Sequence, residues 1–114
     1  NPEADFPGGL DMVARHQERF GKNAAGVTAP AYSVIQILAD AIERANSLDP
    51  QAIRDAIAAT NLMTVAGPIT FNPDGTGNVI TVVSQYQAGL QRLIWPADVA
   101  TVSIIYPAPT WSDR

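Results

Sequence analysis

The chain has 114 residues, 46% of them hydrophobic and 16% charged: long enough for one domain with a modest core, and too apolar for a disordered tail. Seven basic against eleven acidic residues give a net charge of −4 without a Lys/Arg stripe, which argues against nucleic acid, because phosphate neutralisation supplies most non-specific affinity there. Cysteine is absent, which excludes disulfides, thiolate nucleophiles and Cys-ligated zinc, and no apolar run is long enough to span a membrane.

The opening Asn1-Pro2-Glu3 lacks an initiator Met, a basic n-region and an apolar h-region, as an internal segment or a trimmed mature protein would. Asn1 to Gly9, with Pro2, Pro7, Gly8 and Gly9, read as a connector. Leu10, Val13, Ala14 and Phe20 fit one face of a surface helix over 10–20, and Gly21 follows as its left-handed C-terminal cap.

A second helix is predicted over 28–46, with Thr28 as N-cap and Pro30 in the first turn. It carries two apolar stripes: Tyr32, Ile35, Leu38, Ala39 and Ile42; and Val34, Ile37, Leu38, Ala41 and Ala45. Between them runs a narrow polar strip, Gln36, Asp40, Glu43 and Arg44, in which Asp40 and Arg44 have the spacing of an i,i+4 ion pair. Full burial of one large apolar side chain contributes about 1.5–3 kcal/mol. Three left wet would forfeit a large share of a typical domain's stability of about 5–15 kcal/mol. This helix is therefore expected to sit sandwiched, under strands that the polypeptide does not itself encode. A helix resting on a single internal layer, its far flank open to water in a lone molecule, would overturn the reading of this chain as a piece of something larger.

Asp49 and Pro50 restart a helix over 50–60 as N-cap and first residue, with Ile53, Ala56 and Ile57 inward. Beyond Asn61 the period changes. Ile69 and Phe71 alternate with Thr70 in a strand over 67–71, Asn72-Pro73-Asp74-Gly75 turns the chain, and Val79 to Gln87 is β-rich. Ala88-Gly89 turns it again, Leu90 to Trp95 pairs back as a hairpin until Pro96, and Val99 to Tyr106 is predicted as a last strand before the Pro107-Ala108-Pro109 tail.

Catalytic chemistry finds little support. His16 is the single histidine, set among Arg15, Gln17 and Glu18, and reads as a solvated surface residue and not as a metal ligand or triad member. Gly75-Thr76-Gly77 lacks the third glycine of a dinucleotide fingerprint. Asn72 to Asn78 imitates a calcium loop but holds one carboxylate and no closing glutamate, so turn chemistry accounts for it. Asp40, Glu43 and Asp55 read as solvent-face charges, and Trp95 and Trp111 as core or lobe-contact aromatics. No catalytic residue, metal or cofactor is assigned, and the chain reads as a non-enzyme.

The ordered set of Arg19-Phe20-Gly21, Ala31-Tyr32-Ser33-Val34, Leu38-Ala39-Asp40-Ala41-Ile42, Ser47-Leu48-Asp49-Pro50, Ile53-Arg54-Asp55-Ala56-Ile57, Val65-Ala66-Gly67-Pro68-Ile69-Thr70-Phe71, Asp74-Gly75, Gln85-Tyr86-Gln87, Gly89 and Trp95-Pro96 resembles a known family. It is similar to the C-terminal third of the leucine/isoleucine/valine-binding-protein-like solute receptors of ABC importers, the type I periplasmic binding proteins. The resemblance implies an α/β fold: the C-terminal segment of a two-lobed receptor, three helices followed by strands and a hairpin. Residues 1–78 would belong to the C-terminal part of lobe 1, and 79–114 to the crossover and final strands of lobe 2.

The implied activity is binding. A small solute, a branched-chain amino acid or an aromatic acid, is clamped between lobes in the periplasm and delivered to an ABC permease in the membrane. By the same resemblance the loop before the second helix approaches the cleft. Val27 and Thr28 become the candidate ligand contacts, with Tyr32 behind them. Relatives often carry an aromatic at the Val27 position, and a valine suits a bulkier ligand. Tyr32 has an equal alternative as a helix-packing tyrosine. The isolated piece is expected to self-associate or to pair with a missing upstream segment. The alternative is a free-standing interaction module that assembles through an exposed apolar helix face.

Overall fold

Local capping signals set the helix ends in the computed structural model, which describes residues 6–111. Helix α1 runs Gly9–Phe20 and stops at Gly21, whose φ of 63° is the left-handed cap expected there. Helix α2 runs Thr28–Ala45 and ends on Asn46, also left-handed. Helix α3 runs Pro50–Ala58, and the Asp49 carboxylate accepts the Ala52 N–H at 2.9 Å as its N-cap. The strands are β1 Asn61–Thr64, β2 Gly67–Phe71, β3 Gly77–Asn78, β4 Val83–Gln87 and β5 Leu90–Trp95. The connector expected at the N-terminus falls partly on residues 1–5, outside the described residues.

The chain divides into two units between Ile80 and Thr81. The first holds α1 to α3 and an antiparallel sheet in the order β1-β2-β3. The sequence-based strand over 67–71 is β2, but its partner β1 was not foreseen. Thr64 pairs with Gly67 and Asn61 with Thr70, closing a hairpin around Val65 and Ala66. At Gly67 φ is +107°, and the Phe6 ring lies so close that a Cβ there would approach Phe6 Cζ to 3.0 Å.

The core of this unit is Met12, Ile37, Ala41, Val65 and Ile69, with the polar residues Ser33, Thr60 and Thr64 buried among them. In α1 it is Met12 that is buried, while Leu10 and Phe20 of the expected inner face lie exposed. In α2 the buried line is Ser33, Ile37 and Ala41, at four-residue steps. This helix packs on α3 and β1. Among the described residues of this unit, cover comes from one side only.

The polar strip expected to face solvent partly faces that packed side. Gln36 accepts the Val65 N–H at 3.1 Å, and Arg44 bridges Asp40, at 2.8 Å, and the buried Thr60 hydroxyl, at 3.3 Å. Much of the two apolar stripes is left open: Tyr32, Val34, Ile35 and Leu38 are all exposed, with Val34 at 61% and Ile35 at 64%. The expected two-sided burial is thus not met by the chain's own elements. The reason is that Ser33 and Ala41 are small enough to admit the hairpin and α3 closely, and the Thr64 side chain needs a polar partner there.

The second unit, over residues 81–111 of the described chain, is built on the β4–β5 hairpin. Ala88 and Gly89 both have positive φ, 51° and 77°, which matches the right-handed strand twist at a two-residue turn. Leu93 is fully buried. The predicted strand over Val99 to Tyr106 does not form. The Gln85 side-chain amide takes the place of a ladder, accepting the Ile105 N–H and donating to the Ile105 carbonyl, each at 3.0 Å, while Gln87 donates to the Ser103 carbonyl at 2.9 Å. Trp95 and Trp111 are exposed, so neither is a core residue of the chain.

Candidate solute-contact site

The three residues proposed to meet a solute sit at the N-terminal end of α2, where the loop after Gly21 enters the helix. Thr28 does not cap α2 in the expected way. Val27 occupies the N-cap position with helical backbone, and its carbonyl accepts the Ala31 N–H at 3.1 Å. Thr28 works backwards. Its hydroxyl accepts the Ala25 N–H at 3.0 Å while its own N–H donates to the Ala25 carbonyl at 2.9 Å. With Val27 and not Thr28 at the N-cap position, this hydroxyl serves the loop and the helix start has no side-chain cap.

The result is a pinned entry with Val27 on the outside, 75% exposed, and a half-buried Thr28. Tyr32 lies one turn further on, at the i,i+4 position from Thr28, and is 48% exposed. Thr28 and Tyr32 therefore share a helix face that continues into the open stripe through Ile35. The site offers an apolar shoulder, two hydroxyls (those of Thr28 and Tyr32) and one aromatic ring. It holds no charged side chain, so the charges of an amino acid would have to be met by other groups.

Other chemistry-bearing residues lie elsewhere. His16 is half-buried: Nδ1 stands 3.0 Å from the Lys22 carbonyl, which makes it the protonated nitrogen, and the ring rests on Phe20 at 4.8 Å between centroids. Among the described residues no group of three or more His, Cys, Asp or Glu could hold a metal ion. In the turn after β2, Asp74 accepts from the Thr76 hydroxyl at 2.6 Å and the Thr76 N–H at 2.9 Å. Those bonds, the hydroxyl's foremost, hold its carboxyl below the ordinary carboxylate range. Asn72 and Asn78 exchange side-chain amide bonds at 3.2 and 2.9 Å across the same turn. A shallow open depression of about 320 Å³ is lined by Pro68, Thr70, Asn78, Val79 and Ile80, and includes none of Val27, Thr28 or Tyr32. Among the described residues, no helix is long and apolar enough to cross a membrane.

The sequence reading missed the polar tie between α2 and the β1–β2 hairpin. Ser33 stands 2.9 Å from the Ala29 carbonyl and 3.0 Å from Thr64 Oγ1, and Thr64 in turn donates to the Gly67 carbonyl at 2.9 Å and accepts the Ala66 N–H at 3.1 Å. The available signal was the line of small residues Ala29, Ser33, Ala41 and Ala45 at four-residue steps, broken by Ile37. Such a line permits a close approach of backbone.

A leucine-binding protein, LivK, from Thermotoga maritima shares this architecture, with a TM-score of 0.71 and 30% sequence identity over 83% of the present chain. The fold is that of part of a type I periplasmic binding protein. The chain spans 28% of the length of that leucine-binding protein. No family model matches the sequence. The likeness agrees with the leucine-binding-protein resemblance read from the ordered residues, and the three helices and antiparallel strands are the elements through which it runs.

Proposed function

We propose that the chain is the C-terminal portion of an extracytoplasmic solute-binding receptor, which encloses a branched-chain amino acid or an aromatic acid between two lobes and hands it to an ABC importer. The observation that carries the reading is the structural match to a leucine-binding protein at 30% identity over 83% of the chain. In this reading residues 1–78 complete one lobe and 79–114 form the crossover and last strands of the other. Val27 and Thr28 contact the solute, and Tyr32 backs them. The one-sided cover of α2 among the described residues of its unit is the outcome set against this reading, which rests instead on the structural match. The open stripe Tyr32, Val34, Ile35 and Leu38 is the surface that a sheet from the rest of such a receptor would occupy.

The test is a thermal-shift panel of amino acids and aromatic acids on the product of the complete reading frame. A ligand at 100 times its Kd stabilises the form that binds it by about 2.7 kcal/mol. The matching solute should raise the melting temperature by several degrees, and Thr28→Val should weaken that shift. A panel without any shift, on a folded protein, would overturn the proposal.

The same open stripe favours a second reading, a free-standing module that assembles through α2. Sedimentation of the chain separates the two. A dimer dispersed by Ile35→Asp, from a frame that starts at this chain, would support the module. A frame that continues upstream into a signal peptide would support the receptor.

A further inference from the structure

Beyond Val102 the segment after β5 meets the hairpin through side-chain amides of β4. The Thr101 and Val102 amides both donate to one acceptor, the Leu93 carbonyl, at 2.9 and 3.3 Å. Beyond them the Ile105 N–H and carbonyl are both taken by the Gln85 amide, and the Ser103 carbonyl is taken by Gln87. A bond of 2.7 Å from Gln87 Nε2 to Gln85 Oε1 locks the two amides to each other. Gln85 and Gln87 lie two residues apart on β4 and so project from the same face. Apolar burial adds little further on, since Ile104, Ile105 and Tyr106 are all exposed. The Gln85 and Gln87 bonds to the segment are exposed to water, the class that opens locally at low free energy, whereas the β4–β5 ladder surrounds the fully buried Leu93.

We infer that residues 101–106 form a strap that lifts from the β4–β5 hairpin as one unit, with Gln85 as its latch. The side-chain amide of Gln85 presents both a donor and an acceptor, and the Ile105 peptide group uses both. A glutamate there keeps the acceptor and loses the donor. A leucine loses both. Gln91, bonded to Ser84 at 2.7 Å, projects from the opposite face and serves as the control.

The test is native-state amide hydrogen exchange, resolved by residue, on the full chain and on Gln85→Leu, Gln85→Glu and Gln91→Leu. In the unsubstituted chain the Thr101, Val102 and Ile105 amides should share one protection level, well below that of the β4–β5 ladder amides. Gln85→Leu should speed exchange at all three by about tenfold, the scale of losing the net contribution of one or two hydrogen bonds. Gln85→Glu should speed them by less, and Gln91→Leu should leave them unchanged. Ladder amides should keep their rates in every variant. The inference is overturned if Gln85→Leu affects Ile105 alone, if the strap and the ladder exchange together, or if Gln91→Leu has the same effect. If Gln85→Leu does not fold, Gln85→Glu decides by the same comparison.

Discussion

Removing the Thr64 hydroxyl while keeping its volume isolates the polar tie between α2 and the hairpin. Thr64 is fully buried and its Oγ1 is shared by three partners: the Gly67 carbonyl, the Ala66 N–H and the Ser33 hydroxyl. In Thr64→Val the Ser33 hydroxyl can turn wholly to the Ala29 carbonyl, 2.9 Å away. The Gly67 carbonyl and Ala66 N–H lose this partner. An unsatisfied buried group costs about 1–3 kcal/mol, so the substitution should destabilise by about 2–4 kcal/mol, nearer the low end because the Ala66 N–H is only partly buried. Ser33→Ala removes one donor and leaves Thr64 its other two partners, which costs about 0.5–1.5 kcal/mol. Urea unfolding of both variants, read as a shift in midpoint at unchanged slope, measures the two values. The double variant should show coupling between the two sites, since they share a bond. The reasoning is refuted if Ser33→Ala costs as much as Thr64→Val, or if Thr64→Val costs under about 0.5 kcal/mol.

Gly67→Ala places a Cβ at a backbone φ of +107° and within 3.0 Å of the Phe6 ring, so stability measured by urea unfolding should fall by roughly 1–3 kcal/mol. Pairing it with Phe6→Ala should recover only the steric part of that loss. At the β4–β5 turn the strained residue is Ala88, with φ 51°, and Ala88→Asn should stabilise the hairpin by about 0.5–1 kcal/mol, visible as slower ladder exchange. The Asp74 carboxyl is held below its ordinary pKa of 3.8 by the Thr76 hydroxyl and amide. Its contribution is therefore complete above that value and is lost as pH falls through the lower folded one. The Thr76 amide resonance should titrate with a midpoint below 3.8, and Thr76→Val should move the midpoint up towards it. A midpoint at or above 3.8 would show that the turn does not hold the carboxylate.

The parts legible in the sequence were those whose causes are local. Gly21 ends α1, Asp49 and Pro50 begin α3, and Ala88-Gly89 turns the last hairpin, because each depends on residues within four positions of itself. The likeness to leucine-binding proteins was legible in the ordered set of residue runs from Arg19-Phe20-Gly21 to Trp95-Pro96. Among the candidate contacts, the side-by-side placement of Thr28 and Tyr32 on one face follows from the helix alone.

Tertiary structure decided which side of α2 turns inward. Hydropathy favours the stripe of Tyr32, Ile35 and Leu38, yet Ser33, Ile37 and Ala41 are buried, because what they meet is a hairpin that needs small neighbours and a hydroxyl. Strand β1 exists only through its pairing with β2, and Asn61 to Thr64 carries little strand signal without that partner. The segment over 99–106 has strand composition but finds glutamine amides in place of a backbone edge. Periodicity and caps are properties of neighbours along the chain, whereas face, pairing and cover depend on what lies across from it, and distant residues supply that.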